Sequence, residues 1–166
     1  MTDNRKNVLS LDISFETGFA IYNNKGPMSP KTVIKTGVIN LRKYNYDYGI
    51  LAYHFSNAIS DLITENDIGC IGIEKPFMRG KSTYPLFGLA WQAHMLGAIH
   101  EVQRFEFTVR EVKKFWSGKH NATKEEMIDA AVLQGYTVKT DHEADALAVL
   151  GLTINELQKG KTDDEQ

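Results

Sequence analysis

The sequence predicts an α/β domain with a mixed five-stranded sheet flanked by helices, and three observations carry that expectation. Short runs that alternate apolar and polar residues open the chain; longer runs with apolar residues at three- and four-residue spacing follow; and the two kinds interleave in the order β-β-β-α-β-α-β-α-α-α. The 166 residues suffice for one such domain, because a chain of this length buries roughly two thirds of its unfolded surface. Residues 1–158 are expected to form it, with 159–166 as a polar tail.

Each element has its own signal. Residues 8–14, VLSLDIS, put Leu9, Leu11 and Ile13 on one face and Ser10, Asp12 and Ser14 on the other, which suits a strand with Asp12 on its polar side. After Thr17-Gly18 comes a second apolar run at 19–22, then the turn-rich NNKGPMSP, then a third strand candidate at 32–41. Three strands joined by short turns predict an antiparallel meander. Over 48–63 the residues Tyr48, Leu51, Ala52, Phe55, Ala58, Ile59, Leu62 and Ile63 recur with helical period, giving one buried face. The compact apolar run at 70–73 must stop before Pro76, which leaves Glu74 at its C-terminal end. A polar, Gly-containing loop at 79–83 leads to a second amphipathic helix at 86–102, a short strand at 105–109, a short helix at 110–116 and a loop at 117–121. Thr123-Lys-Glu-Glu126 and Thr140-Asp-His-Glu143 both match the capping-box pattern, so each opens a helix. The last helix runs through ALAVLGLTINEL and is expected to fray from Lys159.

Composition narrows the function classes. With 42% hydrophobic and 24% charged residues the chain is of ordinary globular make-up, which excludes global disorder and coiled coil. Its apolar stretches fall far short of the about 20 residues of a membrane span, and the polar start lacks signal-peptide character. A location inside a cell, with no membrane anchor, is expected. The single cysteine, Cys70, supports neither an internal disulfide nor a thiolate cluster, so any metal rests on Asp, Glu or His. A net charge of −2 counts on its face against a nucleic-acid partner.

Three segments place acids where α/β sheets build their sites, at strand carboxyl ends and helix starts. Asp12 lies on the first strand, Glu74 ends the fourth, and His142 and Asp145, three apart, project from one side of the last helix. Each taken alone has an ordinary reading as a turn, cap or helix-dipole residue. Yet Asp12 and Glu74 sit among apolar flanks, where an isolated charge is costly unless paired or metal-bound. If first and fourth strands pair beneath the last helix, the four groups converge on an oxygen-rich pocket suited to Mg²⁺ or Mn²⁺.

Four blocks in order, VLSLDISFETGFAIY, IGIEKPF, VREVKKFWSGKHNATKEEM and HEADALAVL, resemble those of the RuvC-type Holliday junction resolvases of the ribonuclease H-like superfamily. The resemblance covers residues 8–152, and HxxDALA with the preceding GK and TK elements is its most specific part. It implies a ribonuclease H-like fold and two-metal hydrolysis of DNA phosphodiesters that leaves 5′-phosphates, with Mg²⁺ as cofactor and Mn²⁺ as substitute. By the same resemblance Asp12 bridges two ions, Glu74 and Asp145 each hold one side, and His142 ligates a metal or moves a proton. One departure concerns the first block: family members usually follow the aspartate with Pro and a small residue, whereas Ile13-Ser14-Phe15 follow here. The compact chain and this divergent block point to a phage-encoded or prophage member, acting in bacterial or phage-infected cytoplasm.

Positive charge is clustered beside the acids. Residues 110–124 hold Arg110, Lys113, Lys114, Lys119 and Lys124 against Glu111 alone, and Lys75, Arg79 and Lys81 follow Glu74. A charge run is commonly a solvated face. The resemblance, however, matches Lys113 and Lys124 to basic positions beside the active site and Phe77 to an aromatic that stacks on an unpaired base; Phe77 as a core residue is the alternative. Lys75, Phe77, Arg79, Lys81, Lys113, Lys119 and Lys124 are therefore the expected DNA contacts. On the helix at 86–102, Trp91, Met95, Leu96 and Ile99 form a stripe of the kind that is normally core, which the resemblance assigns to a twofold homodimer interface. The expected substrates are four-way junctions, with flaps and forks beside them. Competing readings are a non-catalytic DNA-structure binder, a ribonuclease H acting on hybrids, and a sugar-kinase or actin-like ATPase, the last disfavoured by length and by the lack of further glycine-rich phosphate loops. With three acids assigned to metal and the acidic tail set aside, the charge balance no longer opposes DNA.

Overall fold

In the computed structural model, which describes residues 6–77 and 83–163, five strands and five helices form an α/β sandwich. The strands are β1 (Asn7–Asp12), β2 (Glu16–Tyr22), β3 (Val33–Asn40), β4 (Ile68–Glu74) and β5 (Gln103–Phe107), in the sheet order β3-β2-β1-β4-β5. The expected meander is present: β1, β2 and β3 pair antiparallel, while β4 joins β1 and β5 joins β4 in parallel. The helices are α1 (Tyr48–Glu65), α2 (Thr83–Ile99), α3 (Val109–Ser117), α4 (Lys124–Leu133) and α5 (Asp141–Asp163), with a short 3₁₀ turn at Arg42–Tyr44. Among the described residues no helix is long and apolar enough to cross a membrane.

The period-2 alternation of the strands sorts their side chains into two cores. Leu9, Leu11, Phe19, Ile21, Ile71 and Ile73 point to the side of α1 and α2. Val8, Ala20, Tyr22 and Cys70 point to the side of α3, α4 and α5. The polar face expected for β1 is thus not solvated. Ser10 is fully buried and donates from Oγ to the Ala146 carbonyl at 2.6 Å, so α5 covers the very face that bears Asp12. Small residues make this possible. A Cβ on Gly18 would lie 2.0 Å from the His142 carbonyl oxygen, and one on Gly72 would lie 1.8 Å from Thr153 Oγ1. These two glycines let α5 lie almost on the sheet.

Caps set the helix starts. Asp47 accepts from the Gly49 and Ile50 amides at 2.8 and 3.0 Å to begin α1. The expected box at Thr123 and Glu126 is formed, and at α5 the Thr140 hydroxyl accepts from the Glu143 amide while Glu143 accepts from the Thr140 amide. A third box, Thr108 with Glu111, begins α3 one residue before the expected start. The helix expected at 86–102 instead occupies Thr83–Ile99, because Pro85 is accommodated in a first turn, where a missing amide costs no bond. Its apolar residues lie on both sides: Leu89, Ala90, Ala93 and Leu96 are buried, whereas Trp91, Met95 and Ile99 are exposed. Of the four stripe residues only Leu96 is core. At the other end, α5 continues through Lys159 to Asp163, so the polar tail expected from Lys159 is largely the last turns of this helix. Polar composition alone does not stop a helix.

Candidate active site

The parallel pairing of β1 and β4 is in register at Asp12 and Glu74, so the two carboxylates end neighbouring strands side by side. By the alternation above, both belong to the face that α5 covers. Close packing at Gly18 holds the first turn of α5 over this edge, which brings His142 and Asp145 to the same place. His142 donates from Nδ1 to Asp12 Oδ2 at 3.1 Å, with the two side chains only 21% and 10% exposed. The four groups expected to converge are therefore neighbours.

Electrostatics record the crowding. Burial pushes the Glu74 carboxyl well above the usual range, and the charges of Asp12 and Asp145 push it further, against a lowering by Lys113. Asp145 is pushed up to about 7, first by burial and then by Asp12 and Asp141, with Lys113 and His142 opposing. His142 moves upward because it donates to Asp12, with Asp141 and Glu16 adding to the effect. Glu74 and Asp145 resist ionising beside one another and Asp12, and the three offer hard oxygen donors that fit a divalent cation of the Mg²⁺ class, whose charge would relieve the repulsion. Among the described residues, as the side chains stand, no group of three or more His, Cys, Asp or Glu is arranged to hold a metal ion; one oxygen of Asp12 is engaged by His142.

The expected basic residues divide. Lys113 on α3 donates to the Ala122 carbonyl at 2.7 Å, and its charge is felt by both Glu74 and Asp145. Lys124, the first residue of α4, pairs with Asp141, and that bond raises its pKa. Lys75 lies 3.8 Å from Glu106, and Lys119 is engaged with Glu126. Phe77 is 61% exposed, which removes the core alternative. It lines a cleft of about 520 Å³ with Val109, Arg110, Lys113, His120 and Asn121. Arg79 and Lys81 lie outside the described residues.

Two residues at the site were not expected from the sequence. Glu16, the first residue of β2, lies 3.8 Å from His142 Nε2, and Arg42 grips the same Glu16 oxygen at 2.7 Å. A signal did exist: only three residues separate Asp12 from Glu16, so the hairpin must return Glu16 to the strand end that carries Asp12.

No family model and no curated protein sequence matches the chain. Solved structures do. Thermus thermophilus RuvC in complex with Holliday junction substrate is similar at a TM-score of 0.71 and 15% identity, over 87% of this chain and 90% of that one. The yeast mitochondrial Holliday junction resolvase follows at 0.64 and 11%, over 88% and 76%. The Fowlpox virus resolvase with its substrate Holliday junction DNA gives 0.58 and 13%, over 89% and 99%. The chain thus has the ribonuclease H-like fold shared by the Holliday junction resolvases, as the sequence blocks implied.

Proposed function

We propose that the chain is a metal-dependent endodeoxyribonuclease that resolves four-way junctions and related branched DNA. The observation that carries this reading is the convergence of Asp12, Glu74, His142 and Asp145 at the carboxyl edge of β1 and β4 beneath α5, within a fold that the junction resolvases share. Asp12, Glu74 and Asp145 would hold two Mg²⁺ ions, or Mn²⁺ in their place. Such ions, when bound, would lower the pKa of the attacking water and offset charge on the departing 3′ oxygen. The water oxygen joins phosphorus, the bond to the 3′ oxygen breaks, and a 5′-phosphate and 3′-hydroxyl result.

The protein's own groups do the rest. His142 would take the proton that the water loses, or ligate a metal, through Nε2, the ring nitrogen that does not bond Asp12. Lys113 lowers the pKa of Glu74 and Asp145 and lines the cleft in which Phe77 would stack on an unpaired base. Lys75, Lys119 and Lys124, with Arg79 and Lys81, would neutralise phosphates around it. Residues 1–158 act as one nuclease unit. The exposed Trp91, Met95 and Ile99 on α2 support a homodimer that presents two sites to opposed strands; its mass in solution tests that part. For the chemistry, Asp12→Asn and Asp145→Asn should each abolish Mg²⁺-dependent cleavage while junction binding in a gel-shift assay persists. Cleavage surviving in both variants would sink the assignment.

A further inference from the structure

We infer that Glu16, braced by Arg42, is a positioning residue that fixes the His142 imidazole against Asp12. The consequence for catalysis rests on the nuclease reading above; the positioning itself does not.

The two ring nitrogens of His142 face carboxylates on adjacent strands. Nδ1 meets Asp12 Oδ2 at 3.1 Å, and Nε2 lies 3.8 Å from Glu16 Oε2. A ring held on one edge alone swings about its side-chain torsions; a carboxylate charge facing the opposite edge restrains it when the ring is protonated. Glu16 is itself immobilised. Its amide donates to Ser14 Oγ at 3.1 Å, in a turn closed by the bond from Thr17 Oγ1 to the Ser14 carbonyl at 2.6 Å. Its Cα pairs with Asn40 across β2 and β3.

Arg42 completes the brace. Its Nε and one terminal nitrogen both lie 2.7 Å from Glu16 Oε2, the oxygen that faces His142. The 3₁₀ turn sets Arg42 in place, since Asn40 Oδ1 accepts from the Arg42 amide at 3.1 Å and the preceding Leu41 is buried in the core. The result is a continuous row, Arg42, Glu16, His142, Asp12, drawn from four separate segments. An ion pair as exposed as Arg42–Glu16 adds little to stability. Its placement against a catalytic imidazole makes it an orienting device.

The test combines kinetics with a readout that needs no activity. In single-turnover junction cleavage, Glu16→Ala should lower kcat on the order of tenfold, as loss of an orienting partner does, with KM unchanged. Arg42→Ala should give part of that loss and Arg42→Lys should recover it. Glu16→Ala combined with His142→Ala should be no worse than His142→Ala alone, because both act through one group. In the metal-free protein, ¹⁵N-histidine spectra should show the His142 ring signals shifted or broadened in Glu16→Ala and restored toward wild type in Glu16→Asp, which keeps the carboxylate charge. Unchanged ring signals in Glu16→Ala, or additive losses in the double variant, would overturn the inference. If the wild-type protein cuts no branched DNA, the nuclease reading fails, and the ring spectra still decide the positioning.

Discussion

Replacing Asp145 by asparagine should stabilise the metal-free protein at alkaline pH even as it destroys the proposed catalysis. Asp145 has its carboxyl raised from 3.8 to about 7, mainly by burial and by Asp12. A raised carboxylate means that the folded state binds the proton more tightly than the unfolded state, so stability falls as pH rises from the unfolded value through the folded one. At pH 8 the carboxylate is ionised in both states, and the shift of roughly 3 units costs the fold about 4 kcal/mol. At pH 4 most of that cost is absent, because the folded state keeps its proton. Asparagine carries no charge at either pH. Allowing for imperfect hydrogen bonding of the amide, the variant should gain roughly 2 to 4 kcal/mol at pH 8, or about 5 to 10 °C in Tm for a chain of this size, and much less at pH 4. Thermal melts in EDTA at the two pH values measure this directly. A variant that melts below wild type at pH 8, or whose gain is the same at both pH values, would refute the argument that crowded, buried acids strain the empty cluster.

Three further outcomes follow from the same geometry. On the proposed site Mg²⁺ would compete with protons at Asp145 and Glu74, so calorimetric titration should show proton release and roughly tenfold weaker binding at pH 6 than at pH 8. Lys113→Ala removes the charge that holds both acids down, so the acid limb of the pH–rate profile should move to higher pH, while Lys113→Arg should leave it near wild type. Gly18→Ala would put a Cβ 2.0 Å from the His142 carbonyl and force α5 off the sheet edge; cleavage should fall on the order of 100-fold, as misplacing reacting groups by about 1 Å does, and chemical denaturation should show a loss of about 1 to 3 kcal/mol or more.

The legible parts of this molecule are those whose signals are local. Alternation over residues 8–14 and helical spacing over 48–63 correspond to β1 and α1, and the threonine–glutamate pairs at Thr123 and Thr140 begin α4 and α5 as their side-chain chemistry requires. Asp12, Glu74, His142 and Asp145 are each ordinary when taken alone; their apolar flanks and the family resemblance together point to one strand edge, and the fold makes them neighbours. What escaped depends on tertiary placement. Nothing local distinguishes the buried Leu96 from the exposed Met95 beside it, since helix sides are assigned by what packs against them. The alternation of β1 shows a polar side but not that α5 lies across Ser10. Glu16 looks like an ordinary strand residue until the fold brings His142 and Arg42 to its one oxygen.

The central claim is that these acids cut branched DNA, and one measurement addresses it most directly: cleavage of a four-way junction, a flap, an RNA–DNA hybrid and a linear duplex of matched sequence, with Mg²⁺ and with EDTA. Symmetrically paired nicks bearing 5′-phosphates on the four-way junction, dependent on Mg²⁺ and absent from the linear duplex, are the predicted result. Equal cutting of the linear duplex, cutting confined to the hybrid, or no metal-dependent cutting of any branched substrate would contradict it.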